Sequence, residues 1–196
     1  MLKHPQFSID RYDWENRIIH TPRLVIRAFR PEDGDDAFAY LSNPEIYRYE
    51  PGEAVDTLQA QELVCQMASS TEFWAIELKS EHKVIGQIYF AQTEPYDLMT
   101  WELGYRLNPH YQRLGYASEG AAALVWAGFS AAGIHRVIAH CNPDNTASWK
   151  VLEKLGFRRE GLLIKNIFFR RNELGEPIWT DTYVYAILAE EIHLRS

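Results

Sequence analysis

The chain has 196 residues, a length suited to one well-packed domain, and its hydrophobic content of 46% is ordinary for a globular protein. A formal net charge of −7 argues against non-specific nucleic-acid binding and suits a cationic acceptor such as an amine or a basic peptide N-terminus. No apolar run approaches the roughly 18 to 20 residues of a membrane span, no apolar core follows Met1-Leu2-Lys3-His4-Pro5, and Cys65 and Cys141 suit reduced thiols, so a cytoplasmic protein with no membrane partner is expected.

Residues 1–17 have no clear period and read as an arm ahead of a single domain covering 18–196. Ile18 to Phe29 alternates enough to predict a strand, with Pro22 near its start, where a lost N–H is tolerable. Pro31-Glu32-Asp33 opens a helix that ends near Asn43-Pro44. A linker from Ile46 to Val55 holds Tyr47, Tyr49, Glu50 and Pro51, and a second helix covers Asp56 to Ser69. Strands at Phe73 to Leu78, Val84 to Gln92 and Thr100 to Leu107, joined by short polar turns, predict an antiparallel part of a sheet. Ala117 to about Ala132 reads as a helix stopped by Gly133, and Arg136 to Cys141 as a buried strand. Strand–helix–strand across 100–141 predicts parallel pairing there. Asn145 caps a helix in which Ser148, Val151, Leu152 and Leu155 share a face, and Gly156 ends it. Strands near Leu162 to Arg170 and Trp179 to Leu188 close an α/β domain with a mixed sheet of about seven strands and about four helices.

Chemistry concentrates between residues 108 and 157. Gln112-Arg113-Leu114-Gly115-Tyr116-Ala117 puts a glycine and small residues where a strand-end loop turns into a helix. Small residues let backbone N–H groups close on an anion, and a helix start adds unpaired donors with partial positive charge. A pyrophosphate fits that geometry, with the amides of Gln112 to Ser118 as its cradle; Arg113 adds charge to a phosphate or is a solvated surface arginine. A second signal, Asn142 through Asn145 to Ser148 and on to Gly156-Phe157, builds another capped helix that would flank the same ligand. His110, Arg113, Lys150 and Lys154 gather basic charge beside the two signals. A nucleoside-triphosphate site is disfavoured, because no Lys-Ser or Lys-Thr follows the glycine and the upstream glycine is missing. Seven histidines with no close Cys/His cluster predict no metal.

In order and residue type these segments resemble the GNAT superfamily of acyl-CoA-dependent N-acetyltransferases, whose phosphate loop reads Gln or Arg, two residues, Gly, any residue, then Gly or Ala. Thr21-Pro22-Arg23-Leu24-Val25-Ile26-Arg27, Gly104-Tyr105, Gly115-Tyr116-Ala117-Ser118-Glu119 and Glu153-Lys154-Leu155-Gly156-Phe157 are most similar to the branch of bacterial ribosomal-protein N-terminal acetyltransferases. The resemblance implies a GNAT-type domain with splayed central strands, acetyl-CoA as cosubstrate and direct attack by a primary amine, either a protein N-terminus or a small molecule. It also implies a monomer or homodimer. The alternative is a non-catalytic module that binds acyl-CoA in a regulatory role.

Acetyl transfer from a thioester to an amine needs a neutral amine, a donor to the developing oxyanion and a proton for the leaving thiolate. The resemblance implies that the backbone of Tyr105, Arg106 and Leu107 pairs with the pantetheine arm. It also implies that Glu102, on the same strand, is the general base. Trp101 and Leu103 flank Glu102 and would partly desolvate it; the other reading is a glutamate on the solvent face of an alternating strand. Glu50 is a second candidate base. Ser148 stands where the ribosomal-protein branch is assigned its thiolate proton donor, since the tyrosine usual in the superfamily is replaced by Leu152. A serine there also suits a backbone bond. Asn142, Asn145 and Lys150 are expected cofactor contacts, Asn145 being equally a plain cap, and Glu119 is expected to suit the positive end of its helix. Tyr47, Tyr49, Trp74, Trp101, Trp179 and Asp181 are candidates for an acceptor pocket that two or three of them reach. The carboxylate that the branch sometimes carries in the strand after Gly161 is absent from Lys165-Asn166-Ile167.

Overall fold

The computed structural model describes residues 9–193. Its strands are β1 (Arg11–Asp13), β2 (Ile18–His20), β3 (Leu24–Ala28), β4 (Phe73–Leu78), β5 (Lys83–Gln92), β6 (Thr100–Leu107), β7 (Arg136–Cys141), β8 (Arg158–Ile167) and β9 (Thr180–Leu188). Its α-helices are α1 (Gly34–Leu41), α2 (Thr57–Ser69), α3 (Tyr116–Ala131), α4 (Thr146–Lys154) and α5 (Ala189–His193). The strands form one nine-stranded sheet in the order β1-β2-β3-β4-β5-β6-β7-β9-β8.

Nine strands exceed the seven of the sequence pattern for two local reasons. The stretch from Ile18 to Phe29 is not one strand but an antiparallel pair, β2 and β3, with Ile19 opposite Ile26. Thr21 makes the turn: its N–H bonds Leu24 O at 3.0 Å and its Oγ accepts from Leu24 N at 2.9 Å. Pro22 sits inside that turn, where its missing N–H costs no ladder bond. β1 lies within the stretch read as an arm and pairs with β2. The fifth helix, α5, follows β9 directly. β8 also begins earlier than the pattern suggested, at Arg158, because Gly156 turns the chain at φ +91° and leaves Phe157 in the core. It ends earlier too: Lys165 takes φ +46°, the register with β9 shifts, and Phe168 to Arg170 leave the ladder.

Two layers of helix cover the sheet. α3 and α4 lie over the larger core, which includes Ile19, Leu24, Ile26, Ile76, Ile88, Leu103, Leu124 and Leu152. α1 and α2 cover the other face, around Phe29, Tyr40, Val64 and Ala75. Each fully buried Ile or Leu contributes about 1.5–3 kcal/mol relative to exposure. α3 is apolar almost all round because it is buried almost all round, and its small residues let it close on the sheet. At Gly120 an added Cβ would stand 3.1 Å from Ile26 Cδ1.

Strands β3 to β6 pair antiparallel in sequence, whereas β6 pairs β7 in parallel. That pairing is brief: Thr100, Trp101 and Glu102 face Arg136, Val137 and Ile138, and there the ladder stops. β6 continues to Leu107 against β5 while β7 continues to Cys141 against β9. The two central strands therefore diverge after Glu102, as the resemblance implied. The fork leaves one edge of Leu103 to Leu107 without a neighbouring strand.

Candidate active site

At the mouth of the fork Gly115 is the residue before α3 and takes φ +85°, a conformation that costs glycine little. Arg113 takes φ +61°, so two left-handed residues fold the loop back on itself. Glu119 N bonds Gly115 O at 3.0 Å, the first bond of the helix ladder, and the amides of Tyr116 to Ser118 have no carbonyl one turn back. Donors and a positive helix end converge here, so the loop suits an anionic diphosphate.

The sequence did not show what braces this loop. Glu119, expected only to complement the helix dipole, is buried and accepts from Thr21 Oγ1 at 2.6 Å, Arg23 N at 3.0 Å and Arg23 Nε at 2.6 Å. Arg23 also donates to Leu114 O at 2.9 Å and lies over the Tyr116 ring at 4.4 Å. Gln112 donates from Nε2 to Leu107 O at 3.2 Å, tying the loop to the end of β6. Leu107 is buried, and that bond engages its carbonyl. Leu114 is exposed, and Ala117 and Ser118 turn inward at the helix start.

A cleft of about 400 Å³ opens beside the fork. Gln87 and Tyr89 of β5, Glu102 to Arg106 of β6, His140 and Cys141 of β7 and Asn142 just after it line it. Tyr49 to Pro51 of the α1–α2 loop close it from one side, and Ile167, Phe169 and Thr180 to Thr182 from another. Of the six acceptor-pocket candidates, Tyr49 and Asp181 line it. Tyr47 is buried, with its hydroxyl donating to Leu41 O at 3.0 Å. Trp74 is buried under Arg17, whose guanidinium lies 4.5 Å from the ring centroid. Trp101 packs on the larger core, and Trp179 meets Phe168 edge-on at 5.1 Å. Strand parity decides for Trp74 and Trp101, since neighbours along a strand face opposite sides of the sheet.

The same parity corrects the expected surroundings of Glu102. Trp101 and Leu103 project to the α3 face, so neither covers the carboxylate, whose side chain keeps 34% exposure. A residue not singled out from the sequence meets it instead: His140 Nδ1 stands 2.8 Å from Glu102 Oε1. The signal was present in Arg136-Val137-Ile138-Ala139-His140-Cys141, where Val137, Ala139 and Cys141 are buried and His140 falls on the open face. Glu50 has a different task. Its Oε2 accepts from Arg106 Nε at 3.0 Å and from Nη2, and Arg106 lies 4.9 Å from the Tyr47 ring. Arg106 thus turns its side chain to the open face and holds the α1–α2 loop over the cleft. Asp181 accepts from Lys165 N at 2.8 Å, so a carboxylate from β9 stands beside the β8 segment that carries none.

On the α4 side, Asn145 caps the helix, accepting from Ser148 N at 3.2 Å. Tyr105 donates its hydroxyl to Ser148 O at 2.8 Å, and the same oxygen stands 3.3 Å from Ser148 Oγ. Burial, more than any other cause, pushes the Tyr105 phenol up from its ordinary value, and it pushes the Cys141 thiol up to about 11. Both are protonated near neutrality. Tyr105, Cys141 and Asn142 line the cleft while Ser148 stands behind Tyr105. Asn142 also accepts from Asp144 N at 2.8 Å, Lys150 is exposed over Trp149 at 5.6 Å, and Leu152 is core. His110 is an exposed loop residue.

Residues 23–158 match the family model described as acetyltransferase (GNAT) domain. The uncharacterized N-acetyltransferase YnaD of Bacillus subtilis (strain 168) is 37% identical over 174 residues, covering 88% of this chain and 98% of that protein. A GNAT-family acetyltransferase of Bacillus anthracis superposes with a TM-score of 0.80 at 35% identity, covering 88% and 99% of the two chains. The ribosomal-protein-S5-alanine acetyltransferase of Vibrio fischeri shares the fold, with a TM-score of 0.74 at 20% identity over 89% and 97%. With the glycine loop before α3, the fork and the cleft in place and the family match spanning residues 23–158, this chain belongs to the GNAT family of acetyltransferases.

Proposed function

We propose that this protein transfers acetyl from acetyl-CoA to a primary amine by direct attack, and that the acceptor is a protein N-terminus or a small-molecule amine. The observation that carries the reading is the fork: β6 parts from β7 after Glu102, beside a loop whose Gly115 opens α3 at φ +85°. Acetyl-CoA supplies an activated acyl group on a thioester whose diphosphate suits the loop amides of Gln112 to Ser118. The freed edge of Tyr105 to Leu107 lies between that loop and the cleft, where an extended amide-bearing arm finds backbone partners. Asn142, Asn145 and Lys150 border the same side.

The amine enters from the open face. Glu102 and Asp181 line the cleft with Tyr49, Phe73, Tyr89 and Phe169, a mixture of carboxylates and ring faces that favours a cationic amine over an anionic acceptor. Glu102 lies at the end where the proton of that amine is removed, and Ser148 at the end where the thiolate is protonated. Between them the thioester carbonyl is exposed to attack.

The test is thiol release from acetyl-CoA, with mass spectrometry of the products, against a panel of alkylamines, diamines, amino acids, aminoglycosides and peptides with free N-termini. Acetylated product from at least one primary amine is expected. Binding of acetyl-CoA without thiol release for any of them would leave the non-catalytic module as the correct reading.

A further inference from the structure

The acid–base group of this site is open to a sharper assignment. Glu102 is the last residue of β6 in register with β7, opposite Ile138. His140 lies two residues further along β7 on the same face, so the Glu102–His140 contact spans the point where the strands part. Both side chains are about one-third exposed and both line the cleft. We propose that His140 is the residue that takes the proton from the incoming amine, and that Glu102 is a positioning residue that fixes its ring. This deepens the acetyl-transfer reading and rests on it.

An ionised carboxylate only accepts, so Nδ1 of His140 carries the proton in the 2.8 Å contact. That leaves Nε2 as the basic nitrogen, with its lone pair turned away from Glu102. The arrangement fixes the tautomer and the ring plane, and the carboxylate stabilises the imidazolium once it forms. A neutral imidazole also titrates nearer neutrality than a free carboxylate, which matches a base to an alkylammonium more closely. The charged and titratable groups around the pair are Tyr89 on β5, Tyr105 and Arg106 on β6, Tyr49 and Glu50 of the α1–α2 loop, Cys141 beside His140 and Asp181 on β9. Glu50 already engages Arg106 and Asp181 already accepts from Lys165 N, so Glu102 is the carboxylate within hydrogen-bond distance of the imidazole.

The ammonium loses one proton to Nε2, and the nitrogen lone pair then forms the N–C bond as the C–S bond breaks. The nitrogen sheds a second proton, the thiolate takes one up, and the imidazolium returns the first to solvent. One amide, one thiol and one released proton result.

Two measurements decide it. First, kcat/KM is followed against pH for wild type, His140→Gln and Glu102→Gln, with acetyl-CoA and each amine that the wild type acetylates. The wild-type acid limb should lie in the imidazole range; His140→Gln should lose that limb and about 10² to 10³ in kcat/KM near pH 7. Glu102→Gln should lose about tenfold and should lose the Nδ1-protonated preference of His140, because the ring loses the acceptor that fixes its tautomer and plane. Acetyl-CoA protection against thermal unfolding should persist in both variants. Second, imidazole nitrogen NMR should show His140 protonated at Nδ1 and bare at Nε2 above its titration. A limb in the carboxylate range that His140→Gln leaves in place, or an Nε2-protonated tautomer, overturns the proposal. The first of these results would make Glu102 itself the base and leave acetyl transfer intact. Absence of any acetylated amine is a separate failure, that of the transfer reading, and the NMR still decides the tautomer.

Discussion

Tyr105 shows how one side chain answers to two surfaces. Its backbone lies on the edge freed by the fork, while its phenol crosses to α4 and bonds the carbonyl of Ser148. Because the same phenol oxygen is 3.3 Å from Ser148 Oγ, the serine hydroxyl is held by β6 as well as by its own helix. Ser148 as thiolate donor predicts that Ser148→Ala lowers kcat by about 10² with acetyl-CoA affinity nearly intact. Tyr105→Phe removes only the hydroxyl that orients it, and should lower kcat by about tenfold while leaving the fold in place. Steady-state kinetics paired with acetyl-CoA titration checks both. Equal losses of binding and turnover in Ser148→Ala would assign the serine to packing or cofactor positioning.

At the scale of elements the loop before α3 is the decisive piece. It owes its shape to Gly115 and to a brace from another part of the sheet, Arg23 and Thr21 gripping Glu119. Coenzyme A, binding the folded state, should raise Tm by mass action. Gly115→Asp should abolish that rise, because a side chain at φ +85° is strained and the new carboxylate repels the diphosphate. Added Cβ atoms there meet Arg23 Nη2 at 3.3 Å, so the substitution also presses on the brace. Thermal unfolding with and without millimolar coenzyme A measures the effect. A ligand shift equal to wild type in Gly115→Asp would place the diphosphate elsewhere.

For the molecule as a whole, buried acids set the alkaline limit of stability. Burial pushes the Cys141 thiol from its ordinary 9.0 up to about 11, and the Tyr185 phenol from 10.0 up to about 12. Tyr105 is shifted in the same direction. The unfolded chain gives up these protons first, so the folded state holds more protons once pH passes about 9. The stability they contribute is complete below that point and falls as pH rises towards about 12. A Tm-against-pH series should therefore turn down above pH 9, and Cys141→Ala should flatten the first part of the decline. A decline of unchanged shape in that variant would put the alkaline sensitivity on the tyrosines alone.

Much of this protein is determined locally and was legible in the sequence. Capping by Asn145, the glycines at 115, 133 and 156, and the shared apolar face of α4 are interactions among residues a few positions apart, so helix and strand order followed from the chain itself. The glycine turn that opens α3 was legible for the same reason. What the chain could not display is which side chains meet across strands. Glu102 and His140 are 38 positions apart, Tyr105 and Ser148 43, Arg106 and Glu50 56, and Arg23 and Glu119 96. Strand register decides the first pair, and the seating of α3, α4 and the α1–α2 loop on the sheet decides the other three; along the strands a one-residue slip sends every side chain to the other face. The pattern therefore showed a glycine turn opening a helix, and only the register and parting of β6 and β7 brought the imidazole to Glu102 and the phenol to Ser148.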